Sequence, residues 1–347
     1  MIEKYYSGVI EQIYNRIGKE TRNIVMANYS NDFSIGNLEV IRRYQSNEDN
    51  VFFAYSEFSY NTLVGAYEPF LDIICNMHRR FIGGSFDDFQ KECGVYYLHR
   101  QVLNSYYETG ECFREETVLL NEVAYEQRRM TMAIADMLKR LSEVRPLMIV
   151  INRFQMASKS SIETIKYLID NPCANIGIVL GVNAIVKGAD STVEVWDRIV
   201  ESLEDRSAIY YIGSAGPLKN NIKTTNDDEL YITMNFEQSI QEASNIMEFL
   251  DYEQARRGCR IIEHKIKFEN AWIDEKSLRR FYLVYARTSV LLGEMSKAIE
   301  LMNEYKALIP ENDSEHYFSL YYFMKGTCYM YQGKLEKAEG CAKKAYD

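Results

Sequence analysis

The sequence is poor in proline and carries its cysteines and histidines far apart. Only 5 of its 347 residues are proline while 47% are hydrophobic, a composition that excludes disorder as the main state of the chain. The 7 cysteines and 4 histidines form no CxxC or HxxxH pair, which predicts neither a disulfide framework nor a metal site. This cysteine usage favours a cytoplasmic protein.

Long hydrophobic runs and an excess of positive charge are also missing. The longest apolar runs, at 147–151 and 176–182, are much shorter than the roughly 20 residues that span a bilayer, and the N-terminus has no secretion signal. The net charge of −10 has the wrong sign for a surface that binds phosphate backbones. We therefore expect no membrane contact and no direct nucleic-acid binding by this chain.

The chain divides into two unlike halves. Up to residue 213, short apolar segments alternate with amphipathic helical stretches, the pattern of an α/β domain with a parallel sheet and crossover helices. The predicted strands cover residues 23–28, 51–58, 147–151, 176–182 and 208–212. The apolar spacing over 117–144 predicts a helix that ends before Pro146. Residues 214–229 have no apolar periodicity and predict a linker, so we expect domains at 1–213 and 230–347.

The second half has a repeated, all-helical pattern. It matches the tetratricopeptide pattern in two units and, more weakly, in a third, with small residues 43 and 40 apart at 255, 298 and 338. Small residues let paired helices approach closely, and glycine at the turn permits a left-handed cap. The matching residues are Ala255, Tyr282, Ala286, Gly293, Ala298, Pro310, Tyr322, Gly326, Tyr329, Gly333, Ala338 and Ala345. They predict a tetratricopeptide-like solenoid, and its last unit stops inside a helix, which predicts a longer protein.

Four segments of the first half occur in a recognisable order. The first predicted strand leads into 31–44, which ends in a helical pattern; AYEPFLDII follows at 66–74, then an apolar strand and helix at 145–169, and a second apolar strand at 175–183. This order resembles the nucleotide-binding domain of the signal-transduction ATPases with numerous domains, the STAND class of the AAA-like P-loop proteins. The resemblance implies that these segments correspond to a phosphate loop, a Tyr-x-Pro-Leu helix start, a Walker B strand and a sensor strand.

The resemblance also implies a nucleotide pocket, whose chemical groups are mostly replaced here. A phosphate loop uses glycine, lysine and a hydroxyl, Walker B strands end in acids, and sensor strands often end in arginine. The corresponding positions hold Asn31, Gly36, Asn37 and Leu38 in the loop, Asn152 and Arg153 after the Walker B strand, and Asn183 after the sensor strand. Only Gly36 is retained. This joint loss predicts a pseudo-ATPase, not an enzyme, with no bound ATP, magnesium or other cofactor.

Relatives of this class include the large LuxR-type regulators and the maltose-regulon activator. The resemblance therefore implies a bacterial transcription regulator whose repeat arm binds an inducer or a partner protein. The short interval from 213 to 236 has no room for the winged-helix module of those proteins, which favours the arm over ATP exchange as the input. Three alternatives stay open: a working ATP- and magnesium-dependent switch, a stand-alone interaction adaptor, and an ordinary α/β domain. Self-association is also open.

Two other pairs of residues in the first half carry reactive or charged side chains. Cys93 and His99 have no accompanying acid or oxyanion signature, so the sequence favours a buried cysteine and a surface histidine. Arg79 and Arg80 form an isolated basic pair, which is typical of a solvated helix face.

Overall fold

A computed structural model describes most of the chain. The described residues are 2–29, 36, 38–46, 50–59, 63–112, 122–183, 193–212, 236–268, 273–310 and 314–346. They fall into two compact units, one of residues 1–116 and 125–230, the other of residues 117–124 and 231–347. The predicted linker, 214–229, lies outside the described residues. Among the described helices, none combines the length and the apolar character needed to cross a bilayer.

The first unit is an α/β domain built on a parallel sheet. Its strands are β1 (Ile24–Tyr29), β2 (Phe52–Glu57), β3 (Leu147–Asn152), β4 (Ile176–Asn183) and β5 (Ile209–Ile212). They lie in the order β2-β3-β4-β1-β5, and every neighbouring pair is parallel. The predicted five-stranded parallel sheet is confirmed, with each strand end within one residue of its predicted position.

Helices connect the strands. They are α1 (Ile2–Arg16), α2 (Glu39–Ser46), α3 (Phe70–Met77), a π-helix (His78–Ile82), α4 (Phe86–Glu92), α5 (Tyr97–Thr109), α6 (Val123–Val144), a 3-10 helix (Phe154–Met156), α7 (Lys159–Asp170) and α8 (Val193–Glu204). The helix predicted over 117–144 is observed from Val123 onwards. The predicted residues 117–121 lie outside the described part of the chain.

The strand order determines which helices cover each face. The connection from β1 to β2 runs across the sheet in one direction, and all later connections run in the other. Because parallel crossovers are right-handed, α2 lies on one face and α3 to α8 lie on the opposite face. Helix α1 shares the face of α2, where Tyr6, Ile10 and Ile13 pack with Ile41 and Val179. Every residue of β3 and β4 is buried, as expected for strands covered on both faces.

The second unit is helical, as predicted. Its helices are α9 (Phe236–Glu248), α10 (Tyr252–Phe268), α11 (Glu275–Leu291), α12 (Met295–Ala307), α13 (Ser314–Tyr331) and α14 (Leu335–Tyr346). They form three consecutive pairs, and the first helix of each pair also contacts the first helix of the next pair. Each pair therefore packs mainly on its neighbours, the arrangement of a solenoid.

Equivalent positions recur through the three helical pairs. The turns contain Leu250, Gly293 and Gly333, all with positive φ, of 70°, 78° and 71°. These residues are 43 and 40 apart, the spacing that also separates Ala255, Ala298 and Ala338. The first two of these alanines are fully buried and the third is half-buried. The sequence spacing thus corresponds to a repeated backbone geometry.

The remaining predicted repeat residues also lie in or beside these helices. Ala286 is buried in α11, and Gly326 is buried in α13, where an added Cβ would lie 3.1 Å from Cys341 Cβ of α14. Gly326 therefore allows the two helices to approach closely. Ala345 accepts a hydrogen bond on its carbonyl from Ser319 Oγ, at 2.6 Å. The side chains of Tyr282, Pro310, Tyr322 and Tyr329 are half-buried.

The turn glycines provide a test of the repeat geometry. We expect Gly293→Ala to lower the free energy of unfolding by about 1 kcal/mol, since a side chain is disfavoured in left-handed backbone. The matched control is Gly340→Ala, within α14, where an added Cβ meets nothing within 4 Å and alanine favours the helix. Urea unfolding measures both variants. A Gly293→Ala protein as stable as Gly340→Ala would contradict the left-handed turn.

Candidate functional site at the carboxyl edge of the sheet

The topology places a crevice at the carboxyl ends of β1 and β4. These strands are neighbours, and the connections that follow them leave toward opposite faces of the sheet. Ligands of open α/β sheets bind at such a switch point. The register puts Tyr29 beside Asn183 and Glu57 beside Asn152. The predicted residues at the ends of β3 and β4 therefore lie on one edge.

Asn152 links three strands at this edge. Its side chain is fully buried, and its Oδ1 accepts a hydrogen bond from the Tyr29 hydroxyl at 2.5 Å. Its Nδ2 donates to Glu57 Oε1 at 3.1 Å. The amide thus uses its acceptor toward β1 and its donor toward β2, so it satisfies neighbouring polar groups in a buried position.

Arg153 turns back toward the same carboxylate. Its φ of 54° is left-handed, which lets the chain reverse direction directly after β3. The guanidinium Nη1 lies 3.3 Å from Glu57 Oε1 and donates to the carbonyl of Phe58 at 3.3 Å. The side chains of Arg153 and Glu57 are each only 18% exposed, so screening of this ion pair by solvent is limited.

Glu57 is the acid that sequence reasoning missed. Its Oε2 accepts a hydrogen bond from the Tyr55 hydroxyl, while its Oε1 faces Asn152 and Arg153. The carboxylate therefore accepts two hydrogen bonds and forms one ion pair. A signal was present in the sequence, because a glutamate ends an otherwise uncharged strand whose neighbour carries Asn152 and Arg153. The family pattern places its acids at the end of the Walker B strand, which corresponds to β3, so an acid at the end of β2 matches no position of that pattern.

Tyrosines surround this polar group. Burial raises the pKa of Tyr6 well above its usual value of 10.0, and the nearby Tyr29, Tyr55 and Glu57 raise it further. The Tyr6 phenol is therefore neutral, and its ring lies edge-on to Tyr29 with centroids 6.3 Å apart. A Cβ on Gly181 of β4 would lie 2.8 Å from Asn152 Oδ1 and closer still to the Tyr6 hydroxyl. The site depends on that glycine.

The predicted loop residues are only partly described. Asn31 and Asn37 lie outside the described residues. Gly36 is half-buried, and an added Cβ would lie 3.0 Å from Cε1 of Tyr55. Leu38 is buried in the apolar cluster shared by α1 and α2, and its carbonyl accepts the amide of Ile41. Leu38, which stands where the family has a metal-binding hydroxyl, thus anchors the start of α2 through apolar packing.

The backbone of Asn183 contacts the short helix that follows β3. Its backbone amide donates to Gln155 Oε1 at 3.3 Å, and both residues are buried. Gln155 belongs to the 3-10 helix that follows Arg153. Its Nε2 is buried and has no hydrogen-bond partner among the described residues. Sequence analysis gave Gln155 no role, and its neighbours in the sequence carry no motif that would have marked it.

The described side chains at this edge do not offer the ligands that a magnesium nucleotide requires. Magnesium prefers oxygen ligands, usually one or two carboxylates together with substrate phosphates. Here the Glu57 carboxylate already accepts Asn152 and Tyr55 and lies 3.3 Å from a guanidinium, which would repel a second cation. Within the described residues, no group of three or more His, Cys, Asp or Glu side chains could hold a metal ion. The described donor set does not fit magnesium.

The Cys93 and His99 pair lies elsewhere. The prediction of a surface histidine is wrong, because His99 is fully buried on α5 and its Nε2 lies 2.9 Å from Glu126 Oε2 of α6. A carboxylate partner far along the chain made this burial favourable. Cys93 is half-buried, and burial raises the pKa of its thiol to about 11. It is a poor nucleophile at neutral pH.

The sequence matches no model of a known protein family and no curated protein.

The contact at Gly181 gives a test of the site geometry. We expect Gly181→Ala to destabilise the domain by about 1–3 kcal/mol, because the methyl group overpacks the space between Tyr6 and Asn152. Tyr6→Phe removes the nearest atom, so the double variant should be more stable than the sum of the single changes predicts. Urea unfolding of the four proteins measures this coupling. Purely additive effects would contradict the described packing.

Proposed function

We propose that this chain is the signal-transduction scaffold of a bacterial regulator. A STAND-like domain at 1–213 would have lost ATP hydrolysis, a linker at 214–229 would follow, and a tetratricopeptide-like arm at 230–347 would receive the signal. The observation that carries the proposal is the ion pair between Arg153 and Glu57, placed beside Asn152 at the carboxyl edge of the sheet. A positive charge stands where the resemblance places magnesium.

Electrostatics support a domain that does not hydrolyse ATP. Admitting a divalent cation next to Glu57 would require Arg153 to leave its carboxylate and the Phe58 carbonyl. Breaking a partly buried pair leaves a charge without compensation, at a cost of several kcal/mol in buried cases. The neutral Asn37 also replaces the expected lysine, and a lost charged hydrogen bond is worth roughly 1.5–3 kcal/mol. These effects add to the missing hydroxyl at Leu38.

The helical unit supports a role in binding. Its three pairs stack through small residues at equivalent positions, the construction that gives solenoids extended binding surfaces. Large apolar side chains are exposed on the last pair, where Phe323 is 58% and Leu335 is 68% exposed. A contiguous patch of such groups is typical of a surface that binds another protein. A partner protein or an inducer on this arm, and transcription regulation as the output, follow from the resemblance.

One observation favours a second candidate, a switch that still binds ATP. The buried Nε2 of Gln155 lies beside Asn183 and has no partner among the described residues, so it is a donor that a phosphate oxygen could satisfy. Arg153 could then supply the positive charge that magnesium supplies elsewhere. This alternative requires nucleotide binding that depends on Arg153.

Nucleotide titration separates the two candidates. We expect no binding of ATP to the whole chain at concentrations up to about 1 mM, with or without magnesium, by isothermal titration calorimetry. Arg153→Ala should behave in the same way. Arg140→Ala is a matched control, since Arg140 forms an exposed ion pair with Glu143 at 2.6 Å. ATP binding by the unmodified chain and by Arg140→Ala, but not by Arg153→Ala, would favour the switch that still binds ATP and overturn the expectation of an empty pocket.

A further inference from the structure

A second cavity of the first unit lies apart from the carboxyl-edge crevice. It has a volume of about 350 Å³ and runs along β2 from Val51 to Ser56. Tyr44 at the end of α2 borders it, as do Pro69 and Ile73 at the start of α3 and Arg145 just before β3. Its size is at the lower end of the range for ligand pockets. Of the described residues named above at the carboxyl edge, Tyr55 alone also lines this cavity.

The floor of the cavity is the edge of the sheet. Strand β2 is the outermost strand and, among the described strands, pairs with β3 alone. The amide of Phe52 donates to the carbonyl of Pro146, just before β3, and the amide of Phe58 donates to the carbonyl of Asn152 in β3. Even-numbered residues of β2 therefore direct their backbone groups toward β3. Because successive residues alternate, Val51 and Phe53 direct theirs to the outer edge. An edge of this kind is a template for another extended chain.

Positive charge lies at the amino end of the cavity. Arg145 lies two residues before the start of β3, and its guanidinium lies 4.7 Å from the ring centroid of Phe81. Arg80 lies over the same ring at 5.4 Å and over Phe52, the first residue of β2, at 5.8 Å. The Nε of Arg145 is buried and has no hydrogen-bond partner among the described residues. A π-helix, His78–Ile82, presents Arg80 and Phe81, and such helices are frequent at functional sites.

Negative charge lies at the other end. The carbonyl of Glu68 accepts a hydrogen bond from Ser161 Oγ at 2.7 Å, which fixes this segment near the start of α7, beyond the carboxyl end of β3. The Glu68 carboxylate accepts the amide of Gly65 at 2.9 Å, and Asp72 accepts the Tyr106 hydroxyl at 3.0 Å. Within the described residues, neither carboxylate lies in an ion pair with Lys or Arg. Each lines the cavity.

We propose that this cavity binds a short extended peptide, which adds an antiparallel strand to the outer edge of β2. Its amino-terminal, basic end would face Glu68 and Asp72, and its acidic end would face Arg80 and Arg145. The charge order fixes the direction, because the carboxylates lie at the carboxyl end of β2 and the guanidiniums at its amino end. Residues 51–56 offer about 15–20 Å of edge, enough for four or five residues. Main-chain hydrogen bonds to β2 would supply the affinity. The charged ends would set the direction in which the peptide lies along the strand.

The peptide proposal does not depend on whether the carboxyl edge of the sheet binds ATP. The regulator proposed above takes its input on the helical arm, whereas this site is on the α/β domain. A peptide could bind here whether or not ATP binds at the carboxyl edge. The two ideas therefore fail separately, since peptide binding and ATP binding are measured by different titrations.

Capped pentapeptides of one composition test the proposal. The probe is acetyl-Lys-Val-Thr-Val-Glu-amide, and its reversed counterpart is acetyl-Glu-Val-Thr-Val-Lys-amide, both titrated into the whole chain by NMR. We expect the first to bind about tenfold more tightly, because two ion pairs in the right order replace two repulsions. A third peptide with N-methyl groups on the amides that face β2 should lose binding. Equal binding of all three, or none at several millimolar, would overturn the proposal.

Neighbouring arginines provide the matched variants. Arg80→Ala should weaken binding of the first peptide several-fold and reduce the difference between the two charge orders. Arg79→Ala is the control, because Arg79 lies over the Tyr107 ring at 4.4 Å and bonds the Tyr107 carbonyl rather than lining the cavity. Both arginines are exposed, so neither change should prevent folding. An Arg79→Ala effect as large as that of Arg80→Ala would contradict the assigned site.

Discussion

The arrangement of the carboxyl edge depends on one carboxylate. Glu57 accepts hydrogen bonds from the amide of Asn152 and the hydroxyl of Tyr55 and pairs with the guanidinium of Arg153. Asn152 in turn accepts a hydrogen bond from Tyr29 on β1. A buried acid is tolerated only when its charge is compensated and its lone pairs are used. Each neighbour here meets part of that requirement. In the proposed STAND-like domain, these contacts would occupy the position of the acids that bind magnesium, so stability and hydrolysis would make opposite demands on these residues.

The fold could be predicted from the sequence because its signals are local. Apolar segments such as 147–151 and 176–182 are short, uncharged and bounded by polar turns, and they became fully buried strands. The polar contacts of the site could not be predicted, since they join residues far apart in the chain. Asn152 meets Glu57 across 95 positions and Tyr29 across 123. Only strand order brings such residues together, and strand order is not a local property.

In the helical unit the repeat spacing can be read from the sequence, but the backbone geometry that causes it cannot. The 43- and 40-residue intervals were apparent from the alanines, but the backbone reason lies at the turns, where Leu250 takes the left-handed position that Gly293 and Gly333 take later. Leucine is unfavourable in that conformation, yet Leu250 is buried, and its apolar packing offsets the local cost. A search for glycine alone misses the first turn. The first pair is therefore the weakest match to the pattern although its geometry is equivalent.

Strand β2 physically connects the edge cavity, to which we assign peptide binding, with the polar side chains at the carboxyl edge of the sheet. Tyr55 lines the edge cavity, donates its hydroxyl to Glu57 and contacts Gly36 of the predicted phosphate loop. A peptide paired with the edge of β2 would lie beside that ring, and any movement of the ring would change the donors available to Glu57. Coupling between two sites requires that a ligand interact differently with two states of a shared element. Tyr55 is such a shared element, because one side chain takes part in both sets of contacts.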